Sequence, residues 1–436
     1  MSSAVISNRI YIRPRDEEHR LELVKALTYR LEQKAVGGSS KFGSLNRIEI
    51  LKQFKVLPSG IISLPQGRVD LVPDDYSLID KRVLVPDELG EPLKPLRPEQ
   101  QVVYDAVDDS CIINALVGWG KTFAALWIAY KLGQKTLVIT HNTALRDQWI
   151  NEIKILFGYT PGVIGSGKFE LDAPIVVGNV QTLTKHLDVL SKEFGTLILD
   201  EMHHCPATTF SDILDSSYAR YRIGLSGTLK RKDGKHVLFK DYFGSVVHKP
   251  PQSNTMIPTV RIIKSGVWLE GDNWAQKLNN LLYDDDYQKL IAALAKIEIS
   301  RGHKVLIAAE RVEFLKKVAG YIGSDCILIT GEEKDFDVRT ALLKKVERGE
   351  ASCIAGSRQI FTEGISVNPL SCLILAAPSS NEAVLEQLIG RIQRLHPGKL
   401  NPLVIDINFA DAGGRKQNTM RKGFYIGKGW QLENSA

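Results

Sequence analysis

The residues from Ala115 to Thr122 have the types and spacing that bind a nucleotide phosphate. They read Ala-Leu-Val-Gly-Trp-Gly-Lys-Thr and fit the phosphate-binding loop pattern, with Ala115 in the first glycine position. In this pattern the ammonium group of Lys121 meets the β- and γ-phosphates, and the hydroxyl of Thr122 is offered to Mg²⁺. The loop therefore predicts a nucleotide site with Mg²⁺, whose cofactor-binding residues are Gly118, Trp119, Gly120, Lys121 and Thr122.

An acidic pair follows an apolar run further along the chain. Residues 196–199 read Thr-Leu-Ile-Leu, which suits a strand buried on both faces, and they lead into Asp200 and Glu201. Open α/β sheets place their ligands at strand ends, so Asp200 is expected to hold Mg²⁺, while Glu201 orients and deprotonates the attacking water. A solvated acidic cap on a strand is the alternative, and the phosphate loop upstream argues against it.

Two blocks of alternating strands and helices are expected to position these groups. The first block runs from about Leu96 to Pro250 and the second from about Trp274 to Ala412. Strands are expected at 111–114, 137–140, 175–178, 196–199 and 223–226, and at 305–308, 326–329, 353–355, 372–375 and 404–407. The alternation predicts an α/β fold in which each block is a parallel sheet flanked by helices. Only the first block has a phosphate loop, which predicts a nucleotide held between two lobes.

The residues before Pro92 have a different pattern, which is typical of a small α+β domain. Ile10 and Ile12 alternate with polar neighbours as in a strand, and short strands are also expected at 61–64 and 69–72. Leucine and valine recur at helical spacing at Leu21, Val24, Leu27 and Leu31. Prolines at 92, 95 and 98 predict a stiff linker to the next block.

Composition excludes several classes of protein. The 436 residues predict two or three domains, and no apolar run approaches the roughly 20 residues of a membrane span. The N-terminus lacks the pattern of a signal peptide, and the five cysteines show no zinc spacing, so a reducing cytoplasm and no membrane partner are expected. The net charge of +6 permits a polyanionic partner without requiring one.

Further motifs occur in order along residues 96–430. They are Arg-Pro-Glu-Gln at 97–100, Thr-His-Asn-Thr-Ala-Leu at 140–145, Asn-Val-Gln-Thr at 179–182, Ser-Gly-Thr at 226–228, Phe-Thr-Glu-Gly-Ile-Ser at 361–366 and Gln-Leu-Ile-Gly-Arg-Ile-Gln-Arg at 387–394. With the phosphate loop and the Asp-Glu-Met-His run at 200–203, this series resembles the superfamily 2 helicases of the DExH kind. The resemblance implies two RecA-like lobes and ATP as the nucleotide.

The resemblance also implies roles for individual residues. The implied adenine contacts are Arg97 and Gln100, with Gly364 also at the nucleotide. The catalytic residues would be Lys121, Glu201 and the arginine fingers Arg391 and Arg394, since a planar guanidinium stabilises the charge that develops on the γ-phosphate. The residues implied to couple hydrolysis to movement are His203, Ser226, Thr228 and Gln387. The implied DNA contacts are Asn142, Gln181, Thr182 and Thr362.

The run from Asp200 to Ala207 resembles the subgroup that holds XPB, RecG-like motors and the phage branch-migration helicases of the UvsW type. That subgroup implies an ATP-driven motor on DNA, with a fork or four-way junction as substrate. Alternatives are a duplex translocase that does not separate strands, an RNA helicase and, least favoured, a non-catalytic binding protein. Ser366 leaves sugar selectivity open, and a monomer is left open. The expected domains are 1–92, which binds DNA, 93–255 with the loop, and 256–436 with the fingers.

Overall fold

The structure is a computed structural model, and it describes residues 2–33, 47–115, 118–202, 207–227, 229, 234–250, 255–333, 336–362, 367–379 and 381–434. The chain divides into two compact units. The first comprises residues 1–116 and 120–251, and the second comprises residues 252–436, with which residues 117–119 are grouped.

The larger sheet of the first unit, here called lobe 1, is built from elements that follow the expected alternation. In chain order these are α2 Pro98–Ala106, β8 Cys111–Asn114, α3 Lys121–Leu132, β9 Thr136–Thr140, α4 Thr143–Phe157, β10 Gly162–Gly165, β11 Lys168–Phe169, β12 Ile175–Asn179, α5 Val180–Leu183, α6 Leu187–Leu190, β13 Thr196–Leu199, α7 Ala207–Ser216, β14 Tyr221–Ser226, α8 Leu238–Phe243 and β15 Val247–His248.

The order of strands in lobe 1 gathers the chemically important strand ends. The eight-stranded sheet has the order β11-β10-β12-β9-β13-β14-β8-β15, and every neighbouring pair is parallel except β10 with β11. Strands β9 and β13 are buried along their whole length, as expected of strands covered by helices on both faces. Because parallel strands end at one edge, the loop after β8 and the acidic pair after β13 share that edge.

The N-terminal block adds a five-stranded sheet and a separate hairpin. Its elements are β1 Ser3–Ile6, β2 Arg9–Ile12, α1 Glu17–Ala26, β3 Thr28–Gln33, β4 Arg47–Lys52, β5 Lys55–Val56, β6 Ile62–Pro65 and β7 Ser77–Asp80. The sheet has the order β5-β6-β2-β1-β7, and β3 and β4 form a separate two-stranded sheet. The expected strands around Ile10 and at 61–64 are confirmed.

Two expectations for this block were wrong. The helical spacing predicts a helix that reaches Leu31, but α1 ends at Ala26 and Leu31 lies in β3, where it is buried. The strand expected at 69–72 is instead a short 3₁₀ turn, in which the Arg68 guanidinium donates to the Asp70 carboxylate at 2.9 Å. The local apolar spacing therefore does not predict the conformation at either place.

The N-terminal block is packed against lobe 1 through buried polar contacts. The buried Arg68 guanidinium lies 3.2 Å from a carboxylate oxygen of Asp241 in α8, and the Tyr29 hydroxyl donates to the same oxygen at 2.8 Å. The side-chain amide of Asn8 donates to the Asp215 carbonyl at 2.7 Å. The segment after β7 also bonds to lobe 1, since the backbone N–H of Leu93 donates to the Leu156 carbonyl at 2.7 Å. The proline-containing segment is therefore held along the lobe surface.

The second unit, here called lobe 2, is a seven-stranded parallel sheet with helices. Its elements are β16 Thr259–Lys264, α9 Trp274–Tyr283, α10 Asp285–Ser300, β17 Val305–Ala309, α11 Val312–Ile322, β18 Cys326–Ile329, α12 Phe336–Glu347, β19 Cys353–Ser357, α13 Arg358–Thr362, β20 Cys372–Leu375, α14 Glu382–Ile392, β21 Leu403–Asn408, α15 Ala412–Gly427 and β22 Gln431–Asn434. The strand order is β18-β19-β17-β20-β21-β16-β22. All of the strands expected in this block are present, and sequence reasoning missed β16 and β22.

The fold class is α/β, with two parallel-sheet lobes and a small N-terminal α+β block. Each lobe has an apolar core on both faces of its sheet, formed by the buried strands and the helices that cover them. In the parts of the chain that the structure describes, no helix is long and apolar enough to cross a membrane.

Candidate active site

The phosphate loop is shaped by glycines where the backbone turns left-handed. Gly118 has a φ of +91° and Gly120 a φ of +89°, values that L side chains rarely adopt. Lys121 then begins α3, a helix whose free backbone N–H groups and dipole favour an anion at this end. The Lys121 ammonium is buried and donates to the Ala115 carbonyl at 3.0 Å, so it is folded back over the loop.

The acidic pair lies beside that ammonium group. The Lys121 nitrogen is 3.7 Å from a carboxylate oxygen of Glu201, and Glu201 has a left-handed φ of +44°. Such a backbone is uncommon in a residue with a side chain, and it tends to occur at functional sites. The turn brings the Glu201 backbone N–H to the Asp200 carboxylate, to which it donates at 2.8 Å.

The Asp200 carboxyl group is buried, and its burial shifts its pKa. Burial and the charge of Glu201 raise the pKa of Asp200, and the hydrogen bond from Trp149 and the Lys121 charge lower it, so that the pKa is raised to about 6. A divalent cation would favour the ionised carboxylate. The carboxylate of Asp200 and the hydroxyl of Thr122 are hard oxygen donors, the type that Mg²⁺ prefers, so these residues fit that ion.

Gln100 connects the start of α2 to the phosphate loop. Its side-chain oxygen accepts from the backbone N–H of Arg97 at 3.0 Å, and its side-chain nitrogen donates to the Gly120 carbonyl at 3.3 Å. The Arg97 guanidinium lies 3.4 Å from the Glu99 carboxylate. The two residues predicted to contact adenine are therefore adjacent to the phosphate loop, and their contact with the base stays a prediction.

Two of the predicted DNA-contacting residues are joined at the end of the sheet. Asn142 caps α4 by accepting the Leu145 N–H at 2.8 Å, and its amide is 2.9 Å from the His141 ring. The exposed side chain of Gln181, in α5, donates to the His141 carbonyl at 3.1 Å. Thr182 follows in the same short helix and is partly exposed. These side chains lie at the ends of the neighbouring strands β9 and β12.

Ser226 ends the strand that lies between the acidic pair and the phosphate loop. It is fully buried, and its carbonyl accepts the backbone N–H of Ala115 at 3.1 Å. The backbone N–H of Met202 donates to the Leu225 carbonyl at 3.1 Å. The phosphate loop and the acidic motif are therefore both hydrogen-bonded to β14, so a displacement of either one acts directly on this strand. This arrangement is consistent with the coupling role predicted for Ser226.

In lobe 2 the predicted arginines are at the end of α14. Arg391 is buried in the last turn of the helix, one turn after Gln387, and its guanidinium donates to the Phe361 carbonyl at 2.7 Å. Arg394 follows the helix end, and its carbonyl accepts the Lys399 ammonium at 2.7 Å. Burial, with a contribution from the Arg394 charge, lowers the pKa of Lys399 to about 8.

Some predicted residues cannot be placed. His203, Thr228 and Gly364 lie outside the described residues, as does Ser366. Thr362 is the last residue of α13.

Sequence reasoning missed one residue of this site. The indole N–H of Trp149, in α4, donates to the Asp200 carboxylate at 2.7 Å, and the ring is fully buried. The available signal was a tryptophan seven positions after Asn142 on the apolar face of a predicted helix, which also fits an ordinary core residue.

Comparison with known proteins agrees with these features. Residues 93–231 match the family described as the res subunit of type III restriction enzymes, and residues 286–396 match the helicase conserved C-terminal domain. A probable helicase of Escherichia phage T5 is 42% identical, with 98% of this chain and 95% of that protein covered.

More distant relatives carry informative names. A putative ATP-dependent RNA helicase of Acanthamoeba polyphaga mimivirus is 27% identical, covering 76% of this chain and 68% of that protein. The ATP-dependent DNA helicase uvsW of Enterobacteria phage T4 is 24% identical, covering 86% and 84%. Among solved structures, Saccharomyces cerevisiae Dbp5 bound to RNA and ADP BeF3 covers 78% of this chain and 90% of its own, with a TM-score of 0.55 and 14% identity. That last likeness bears on the fold alone.

Proposed function

The chain belongs to the superfamily 2 helicases and is an ATP-dependent enzyme of that superfamily, and on this premise we propose that it is a DNA motor that remodels forks and four-way junctions. The observation that carries the proposal is the arrangement of Lys121, Asp200 and Glu201 in lobe 1, in a unit that also contains a docked N-terminal block. The three side chains support ATP hydrolysis, and the docked N-terminal block supports the choice of branched DNA as the substrate.

The proposed chemistry assigns one role to each group. Lys121 binds the β- and γ-phosphates, and the backbone N–H groups at the start of α3 bind the remaining phosphate charge. Asp200 and Thr122 hold Mg²⁺, which neutralises charge on the phosphates when bound. Glu201 takes the proton of the attacking water, and the guanidinium groups of lobe 2 stabilise the charge of the departing phosphoryl group.

The outer face of the β3–β4 hairpin is the proposed contact for one DNA arm. Thr28 pairs with Lys52 and Arg30 pairs with Ile50, so their side chains share one face, and Lys52, Arg30 and Ile50 are exposed. The opposite face carries Leu31, which is buried. The two exposed cations of this face, Arg30 and Lys52, can bind one arm by its phosphates while the motor draws in another.

The test of this contact neutralises the hairpin face. The double variant Arg30→Gln, Lys52→Gln should keep its ATPase stimulated by single-stranded DNA and lose four-way-junction migration several-fold. A matched control removes two exposed charges from α12, as Lys344→Gln, Lys345→Gln. If both double variants migrate junctions like the unsubstituted protein, the hairpin does not select the substrate.

RNA is the second candidate polymer, because one relative is named as an RNA helicase. Comparing the stimulation of ATPase by a DNA strand, a DNA duplex, a four-way junction and RNA of matched sequence separates the candidates. The proposal expects the junction to stimulate most and RNA least. Greater stimulation by RNA than by any DNA would make RNA the substrate, and stimulation by the duplex equal to that by the junction would favour a duplex translocase.

A further inference from the structure

We propose that Trp149 is a positioning residue of the ATPase site, which holds the carboxylate of Asp200 in place and connects it to the DNA-contacting end of helix α4. This inference rests on the proposed function, since it takes Asp200 as the ligand of Mg²⁺. The two groups are in direct contact, since the Trp149 indole nitrogen lies 2.7 Å from one carboxylate oxygen of Asp200.

Both oxygens of this carboxylate are engaged by fixed donors. The indole N–H donates to Oδ2, and the Glu201 backbone N–H donates to Oδ1 at 2.8 Å. Two donors on different oxygens fix the rotation of the carboxylate plane, and each oxygen keeps a second lone-pair direction for a metal ion. Removal of a group that orients a metal ligand in this way commonly lowers metal affinity or activity by about 10–100-fold. We expect an effect within about this range when the indole N–H is removed.

The ring that donates this bond is held as firmly as the carboxylate. Trp149 is fully buried, and its neighbours one turn away on the same face of α4, Leu145 and Ile153, are buried as well. A buried indole N–H needs an acceptor, because burial removes its hydrogen bond to water and an unpaired buried donor is destabilising. The packing of α4 therefore dictates where the Asp200 oxygen sits.

The same helix begins at a predicted DNA contact. Asn142 caps α4, and Trp149 follows seven residues later, about 10 Å along the helix axis at 1.5 Å per residue. A helix moves as a stiff rod over two turns, so a displacement of its first turn by a DNA strand also moves the indole. The geometry therefore offers one short route by which DNA binding alters the metal ligand.

A tryptophan that only filled the core would behave differently. Replacing it by phenylalanine keeps an aromatic ring and removes the N–H donor. The matched control is Trp127→Phe on α3, because its indole N–H also donates, to the exposed Lys94 carbonyl at 3.2 Å. Both variants lose one indole hydrogen bond, and only one of the two bonds is made to Asp200.

The first experiment measures Mg²⁺ dependence in the full chain. A fluorescent ATP analogue is titrated with Mg²⁺ under conditions without hydrolysis, and DNA-stimulated ATPase is measured in parallel. Trp149→Phe should raise the half-saturating Mg²⁺ concentration about tenfold. It should also lower the ratio of DNA-stimulated to basal ATPase, with DNA affinity in the absence of nucleotide unchanged. A Mg²⁺ requirement equal to that of Trp127→Phe would overturn the proposal.

A second experiment covers the case in which Trp149→Phe fails to fold. The unsubstituted protein is labelled with ¹⁵N-tryptophan, and the indole resonances of its six tryptophans are recorded by NMR with nucleotide present. Trp119→Phe identifies the resonance of the loop tryptophan. Asp200→Asn should shift one other resonance, and addition of Mg²⁺ to the unsubstituted protein should shift the same one. If only the Trp119 resonance responds to Mg²⁺, Trp149 does not sense the metal ligand.

These outcomes separate the inference from the proposed function. If the unsubstituted protein and Trp127→Phe hydrolyse ATP with DNA stimulation, the proposed motor stands, whichever way Trp149→Phe behaves. If neither hydrolyses ATP, the proposed function fails before the role of Trp149 is considered.

Discussion

The guanidinium of Arg9 bonds both carboxylate oxygens of Asp215 at 2.6 Å, and this pair joins the first sheet of the chain to the last turn of helix α7. The same guanidinium also donates to the Gln53 carbonyl at 2.8 Å, so it ties β2 to two other segments. Helix α7 begins a few residues after the acidic pair. The N-terminal block is thus attached to the segment that leads directly out of the candidate ATPase site.

The first prediction concerns the stability of that attachment. Asp215→Asn should lower the free energy of unfolding by about 2 kcal/mol, less than the 3–5 kcal/mol of a fully buried pair, because the Asp215 side chain is 25% exposed. Urea unfolding followed by circular dichroism measures it. Asp212→Asn, an exposed position on the same helix, is the control. Equal stability of both variants would mean that the pair contributes little.

The second prediction concerns the pH dependence of stability that Asp241 causes. This residue of α8 faces Tyr29, Arg68 and Asp70 of the N-terminal block. Burial raises the pKa of Asp241 to about 6, against contributions from Tyr29 and Arg68 that lower it. A folded-state pKa above the unfolded value of 3.8 means that the folded protein binds this proton more tightly. The stability contributed by protonated Asp241 is therefore present at low pH and is lost as pH rises from about 4 through about 6.

Asp241→Asn tests this sign, because the amide carries no ionisable proton. The unfolding free energy of the variant relative to the unsubstituted protein should increase between pH 4 and pH 7 by up to about 3 kcal/mol, at about 1.4 kcal/mol for each pKa unit. Thermal or urea unfolding at a series of pH values gives the difference directly. A difference that stays constant, or decreases with pH, contradicts the assignment.

The third prediction separates binding from chemistry at the site. Glu201→Gln should bind ATP with nearly unchanged affinity and hydrolyse it about 10²–10⁴-fold more slowly, because the water loses its base. Lys121→Ala should instead weaken nucleotide binding, since the cation beside the phosphates is removed. Equilibrium binding of a fluorescent nucleotide and steady-state ATPase distinguish the two variants. Glu347→Gln, at the exposed end of α12, is the control, and normal turnover by Glu201→Gln would remove it from the catalytic role.

Sequence patterns predicted most of the lobes because local signals suffice there. Apolar runs such as residues 196–199 are typical of strands buried in a parallel sheet. The loop before Lys121 contains the glycines that its backbone conformation requires. Chain order then fixes which strand ends carry chemistry. These signals act over a few residues, so no partner from elsewhere in the chain is needed to interpret them.

Long-range contacts explain what the patterns could not predict. Leu31 fits a helical repeat, but it lies in β3 with its side chain beside Gly234, about two hundred positions away in the sequence. The bond from Trp149 to Asp200 spans 51 positions, and the pair of Arg9 with Asp215 spans 206. Nothing in the local sequence of either partner indicates the other.

The last prediction concerns the arginines of lobe 2. Arg391→Ala and Arg394→Ala should each slow ATP hydrolysis by about 10³-fold or more and leave much of the ATP affinity in place, because an arginine finger acts on charge that develops during phosphoryl transfer. Arg391→Lys should not restore the rate. The Arg391 guanidinium donates through Nε to the Phe361 carbonyl. A lysine has a single ammonium group, so it cannot make that bond and contact a phosphate at the same time.

Arg348→Ala, at an exposed position after α12, controls for the loss of a positive charge from lobe 2. Single-turnover hydrolysis and nucleotide binding measure the two effects separately. Normal hydrolysis by either alanine variant would show that the residue is not a finger, and full activity of Arg391→Lys would reduce the requirement at that position to a positive charge.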